Sequence, residues 1–97
     1  MSLRSAFNKK DPERLFKAVE KHDLARLSKF CLDGGELNAK NSNGYTALLL
    51  AASQGHKDTV ALLLSAGANP NAQDKGTSSP LVSAAYRGYA DIARLLL

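Results

Sequence analysis

The chain has 97 residues, enough for one domain, with 44% hydrophobic and 23% charged residues, a composition that excludes a disordered chain. Trp is absent and the longest apolar runs, Ala47–Ala52 and Val60–Leu64, are far too short to span a membrane, so any core rests on Leu, Ala and Val. The net charge of +4 is carried by residues 1–32, which hold eight Lys/Arg against four acids, whereas residues 33–97 hold five of each sign. The opening MSLRSAFNKK lacks the apolar stretch of a secretory signal, and a single cysteine, Cys31, cannot form an internal disulfide. The expected location is therefore cytoplasmic, with the nucleus as the alternative.

Residues 1–10 read as a basic extension, in which Leu3 and Phe7 with Arg4, Lys9 and Lys10 make one small amphipathic turn. Asp11-Pro12-Glu13 then combines an N-cap, an N1 proline and a first-turn acid, so a helix begins near Pro12. Its charged positions Arg14, Lys17, Glu20 and Lys21 suit the polar outer face of a terminal repeat. His22 follows as a turn residue, since His enters the left-handed region more readily than most. Further on, Thr46 caps a helix over about Ala47–Ser53, Gly55 turns the chain, and a second helix spans about Lys57–Ser65, with Val60, Leu63 and Leu64 at helical spacing. Gly67 stands where a C-cap glycine belongs, and Ala68–Gly76, rich in Asn, Gly, Asp and Pro, reads as a turn or hairpin finger.

A shift of 33 residues aligns the sequence with itself without gaps. Leu48 falls on Leu81, Ala51 on Ala84, Gly55 on Gly88, Asp58 on Asp91 and Leu63 on Leu96. In the other direction Leu15 falls under Leu48, Ala18 under Ala51, Leu27 under Val60, Phe30 under Leu63 and Asn38 under Asn71. Three copies of one helix-turn-helix unit are present. The middle copy, NGYTALLLAASQGHKDTVALLLSAGANPNAQD, closely resembles the ankyrin repeat, and the resemblance covers about residues 12–97.

That resemblance implies an all-α solenoid of stacked helix-turn-helix units with short β-turn or hairpin fingers. Fingers and first helices would form a concave face, and second helices the convex back. The domain would run over 11–97, as a capping-like repeat at 11–40, a second repeat at 41–73 and a truncated third at 74–97. The family's Thr-Pro-Leu-His pattern is altered: its His is Leu49 in the second copy and Val82 in the third, its Pro is Ala47 and its Thr is Ser79. The hydrogen-bond network that this His helps to build is expected to be weaker or missing. The third copy lacks counterparts of Ser65–Gln73, so a longer array, or a partner covering the open end through self-association, is expected; Ile92, Leu95 and Leu96 would pack inward.

The family binds proteins through finger tips and first helices. Carried over by position, the candidate residues are Glu20, Lys21 and Lys40 around the first copy. In the second copy they are Ser42, Asn43, Tyr45, Ser53 and Gln54, and in the third Lys75, Gly76, Ser78, Tyr86 and Arg87. Tyr45, Tyr86 and Arg87 stand out as the types that dominate interfaces, although a tyrosine beside a repeat seam also serves simply to cover apolar surface. Lys21, Lys40, Lys75 and Arg87 give the groove a positive lean that suits an acidic partner segment. The expected function is a protein-binding scaffold or adaptor, the alternative a regulatory segment of a larger enzyme or channel. No cofactor, metal or small-molecule substrate is expected. Nucleic-acid or membrane attachment through Met1–Lys10 is the weaker option, because one turn without base-stacking aromatics binds poorly.

Other chemistry finds little support. Ser53, His56 and Asp58 invite a triad reading but occupy ordinary repeat positions, so no catalytic residues are assigned. His22 and His56 have no companion at metal spacing. Cys31 aligns with Leu64 and Leu97 and reads as a small buried hydrophobe without an activating partner. In Asp74–Pro80 the lysine precedes the glycine, which a phosphate loop does not allow. Ser79-Pro80 is either a proline-directed phosphorylation site or simply a helix cap.

Overall fold

The computed structural model describes residues 11–73 and 78–97. Among the described residues six helices follow one another in three antiparallel pairs: α1 (Pro12–Glu20) with α2 (Leu24–Leu32), α3 (Ala47–Gln54) with α4 (Lys57–Ser65), and α5 (Pro80–Arg87) with α6 (Ala90–Leu96). First helices pack α1 on α3 on α5, and second helices pack α2 on α4 on α6, so two layers run the length of the stack. Its extents are 42 × 26 × 20 Å. The described residues of the segments joining one pair to the next form turns and irregular backbone, with no strand.

Local chemistry sets the helix limits. The Asp11 carboxylate accepts from the Glu13 amide at 3.0 Å and Pro12 opens α1, while Asp23 accepts from Arg26 N–H at the start of α2. Thr46 Oγ1 accepts from Leu49 N–H at 3.2 Å and Ser79 Oγ from Val82 N–H at 3.3 Å. The cap that opens α3 is thus intact although Leu49 replaces histidine. Gly55 and Gly88 end the first helices of their pairs at φ +79° and +78°, and His22 takes the equivalent place at φ 53°.

These turns also join the repeats. The His56 ring meets the His22 ring edge-on, with centroids 4.4 Å apart. One repeat later the Tyr89 ring lies over Gly55, where an added Cβ would come within 2.9 Å of it. The residue after each turn thus covers the turn of the preceding repeat. On the finger side, Asn38 Oδ1 accepts from Asn69 N–H at 2.7 Å, stitching one connection to the next across 31 residues.

The core follows the repeat. Leu15, Leu48, Leu27, Val60 and Leu63 are fully buried between the layers, and Ala18, Ala51 and Ala84 let the first helices approach closely. Ile92 is buried and Leu96 partly so, but Leu95 is 40% exposed, contrary to the expectation that all three point inward. Cys31 is only half-buried, which corrects its reading as a core residue. Partial burial raises its thiol pKa, its own backbone hydrogen bond offsetting part of the effect, so it is held as the unreactive thiol.

Candidate partner-binding groove

An open groove of about 480 Å³ lies between the second and third repeats, on the first-helix layer. One wall is Tyr45, Leu49, Leu50 and Ser53. The other is Ser78, Val82, Ser83, Tyr86 and Arg87. The walls correspond residue by residue at the 33-residue shift: Tyr45 with Ser78, Leu49 with Val82, Leu50 with Ser83, and Ser53 with Tyr86. Each is a stripe at i, i+4, i+8 on one helical face, running on from the residue or two before the helix.

Finger chemistry holds the mouth. Asn41 Oδ1 accepts from both Asn43 N–H at 2.9 Å and Tyr45 N–H at 3.0 Å, and Asn41 N–H donates to Tyr45 C=O at 2.9 Å. This Asx turn fixes the backbone from which the half-buried Tyr45 projects. At the far end Ser53 donates to Leu50 C=O at 2.9 Å, which ties its hydroxyl to the helix. Tyr86 is 91% exposed and Val82 51% exposed. A tyrosine so fully in water covers little apolar surface within this chain, which leaves its ring free for contact with another molecule.

The structure brings together Tyr45, Ser53, Ser78, Tyr86 and Arg87 from the sequence-derived candidates. Ser42, Asn43 and Gln54 are exposed outside the groove lining, and Glu20, Lys21 and Lys40 are exposed around the first repeat. Lys75 and Gly76 lie outside the described residues. Four lining residues, Leu49, Leu50, Val82 and Ser83, and the positioning residue Asn41 were missed. The stripe Tyr45-Leu49-Ser53, repeated as Ser78-Val82-Tyr86, was the signal that could have found the first and third.

The residues of the triad reading are engaged otherwise. Ser53 is bonded to its own helix, the His56 ring contacts His22, and Asp58 sits in the first turn of α4. Burial, with a smaller contribution from His22, lowers the His56 pKa, which favours the neutral ring. Its Nδ1 is buried without a hydrogen-bond partner. Among the described residues no group of three or more His, Cys, Asp or Glu is placed to hold a metal ion, and no helix is long and apolar enough to cross a membrane.

A family model of ankyrin repeats in three copies matches residues 15–97. The chain belongs to the ankyrin-repeat family. Over 87 residues, 86% of the chain, it is 34% identical to ankyrin repeat domain-containing protein 63 of Mus musculus. It is 37% identical over 75 residues, 76% of the chain, to the 2-5A-dependent ribonuclease of Mus musculus. With the mitochondrial disaggregase of Homo sapiens it shares 36% identity over 64 residues, 66% of the chain. The chain spans 22%, 10% and 9% of these three relatives respectively, so its likeness to them is that of one repeat segment. Ankyrin repeats generally serve as protein-interaction modules, and the groove lies on the first-helix layer of this stack.

Proposed function

We propose that this ankyrin stack acts, without catalysing a reaction, as a cytoplasmic scaffold or adaptor module that holds a partner protein on its first-helix face. The observation that carries the proposal is the groove between α3 and α5, where an exposed tyrosine, a second tyrosine and an arginine converge over an apolar floor. Tyr and Arg supply much of the binding energy in protein interfaces, because they bury large area and make directed hydrogen bonds. The test is affinity capture from a native lysate with the wild-type chain and a Tyr45→Ala/Tyr86→Ala/Arg87→Glu variant whose circular dichroism matches it. Loss of the captured proteins with the variant supports the reading; identical capture removes the groove as the binding site.

A second reading makes the stack a regulatory segment of a larger enzyme. It draws on the two relatives named as a disaggregase and a ribonuclease, of which this chain matches about a tenth. In that case the same triple substitution, made in a full-length protein, changes its catalytic rate or activation without changing stability. An unchanged rate and activation profile speaks against it.

A further inference from the structure

The groove has a chemical polarity beyond being open. Its floor is apolar, with Leu49 buried at the base, Leu50 half-buried and Val82 half-exposed. Arg87 is its one charged lining residue among the described residues, no carboxylate lines it, and Arg87 takes part in none of the ion pairs there. Arg26 and Arg94, in contrast, each meet a nearby aspartate, Asp23 at the N-cap of α2 and Asp91 within α6. Arg87 is also at the end of the groove, as the last residue of α5, beside Tyr86, the most exposed aromatic ring among the described residues. On the same row of the first repeat stands another exposed cation, Lys21, and the row position between them is the neutral Gln54.

We infer that the groove between the second and third repeats reads a short acidic peptide in which an apolar side chain seats on Leu49, Leu50 and Val82 and a nearby carboxylate pairs with Arg87. The inference rests on the protein-binding reading above and names the partner chemistry for that site. The spacing follows from the helix. Val82 and Arg87 are five residues apart, and a helix rises ~1.5 Å per residue, so they are separated by ~7–8 Å along α5. An extended peptide rises ~3.3 Å per residue, which places the carboxylate about one to three positions from the apolar anchor. Guanidinium and carboxylate match as a fork, so the pairing gives direction as well as attraction. A basic segment would leave Arg87 facing like charge. A nucleic acid would find one cation over an apolar floor where several phosphate contacts are needed.

Selection of displayed random peptides against the folded chain tests this, with Tyr86→Ala, Arg87→Glu, Arg87→Gln and Arg87→Lys selected in parallel. All four substitutions are at exposed positions, and circular dichroism checks the fold of each. The expected wild-type result is enrichment of peptides carrying an aliphatic or aromatic residue with Asp or Glu about one to three positions away. A synthetic peptide of the enriched sequence should bind Arg87→Gln and Arg87→Glu about tenfold or more weakly, with only part of the binding returning in Arg87→Lys, which keeps the charge but not the fork, and added salt should weaken it in the wild type and in Arg87→Lys but not in Arg87→Gln. Enriched peptides that need Tyr86 but show no acidic preference and bind Arg87→Glu equally overturn the inference while leaving the groove as a binding site. Absence of any Tyr86-dependent enrichment overturns the groove itself, and the inference with it.

Discussion

The second and third repeats align residue for residue, yet they bury their equivalent side chains very differently. Leu49 is 3% exposed and its counterpart Val82 51%; Leu63 is fully buried and its counterpart Leu96 only partly covered. Gly55 is roofed by Tyr89, whereas Gly88, with the same positive φ, faces open space. The second repeat lies between two neighbours and the third has one among the described residues. Burial in a stacked array is therefore a property of the seam rather than of the residue, and stability is close to a sum of repeat and seam terms.

The largest effect that separates the two repeats is in the core. Leu63→Ala should cost roughly 2–5 kcal/mol in urea denaturation, and Leu96→Ala less than half of that, since the smaller cavity opens toward water. Equal losses would mean that the seams are not the units of stability. Next come the turns. Gly88→Ala pays only for the left-handed backbone, ~1–2 kcal/mol, whereas Gly55→Ala also drives its Cβ into the Tyr89 ring. The excess of Gly55→Ala over Gly88→Ala should shrink when Tyr89→Ala is combined with it, a double-mutant cycle that isolates the contact.

The caps give a smaller difference. Thr46→Ala should cost about 1–2 kcal/mol and Ser79→Ala about 0.5–1 kcal/mol in the same assay. Thr46 is buried and its loss strands the Leu49 amide, while Val82 N–H at the half-exposed Ser79 cap can turn to water. The smallest effect is one of pH. Burial holds the His56 pKa below its usual 6.5, so the unfolded chain takes up that proton first as pH falls. Its contribution to stability is complete above about pH 6.5 and declines below it until the folded pKa is passed. The third repeat has Tyr89 at this position and lacks the effect. The slope of the urea midpoint between about pH 7 and 5 should flatten in His56→Phe; an unchanged slope would assign the acid sensitivity to other groups.

Much of the fold was legible because its signals are local. Asp11-Pro12, Thr46, Gly55 and Gly88 name their own helix ends, since a cap or a left-handed turn depends on a few neighbouring atoms. The second helix of the middle repeat falls on Lys57–Ser65, as its periodicity suggests. The Thr46 cap was legible in the same way: its hydroxyl accepts from Leu49 N–H at the start of α3. The groove was only half legible. Tyr45, Ser53, Tyr86 and Arg87 follow from repeat position, but Leu49 and Val82 look like core residues until the seam between α3 and α5 is seen to leave a gap above them.

The period, the helix pairs and the turn positions follow from the residues in order, because capping, φ preference and helical spacing act within one repeat unit. Which apolar residues reach water, that Tyr86 stands exposed beside Arg87 and that Tyr89 covers Gly55 emerge only from the packed stack. Those outcomes depend on how one repeat is set against the next, a packing of surfaces more than 30 residues apart that no local propensity encodes.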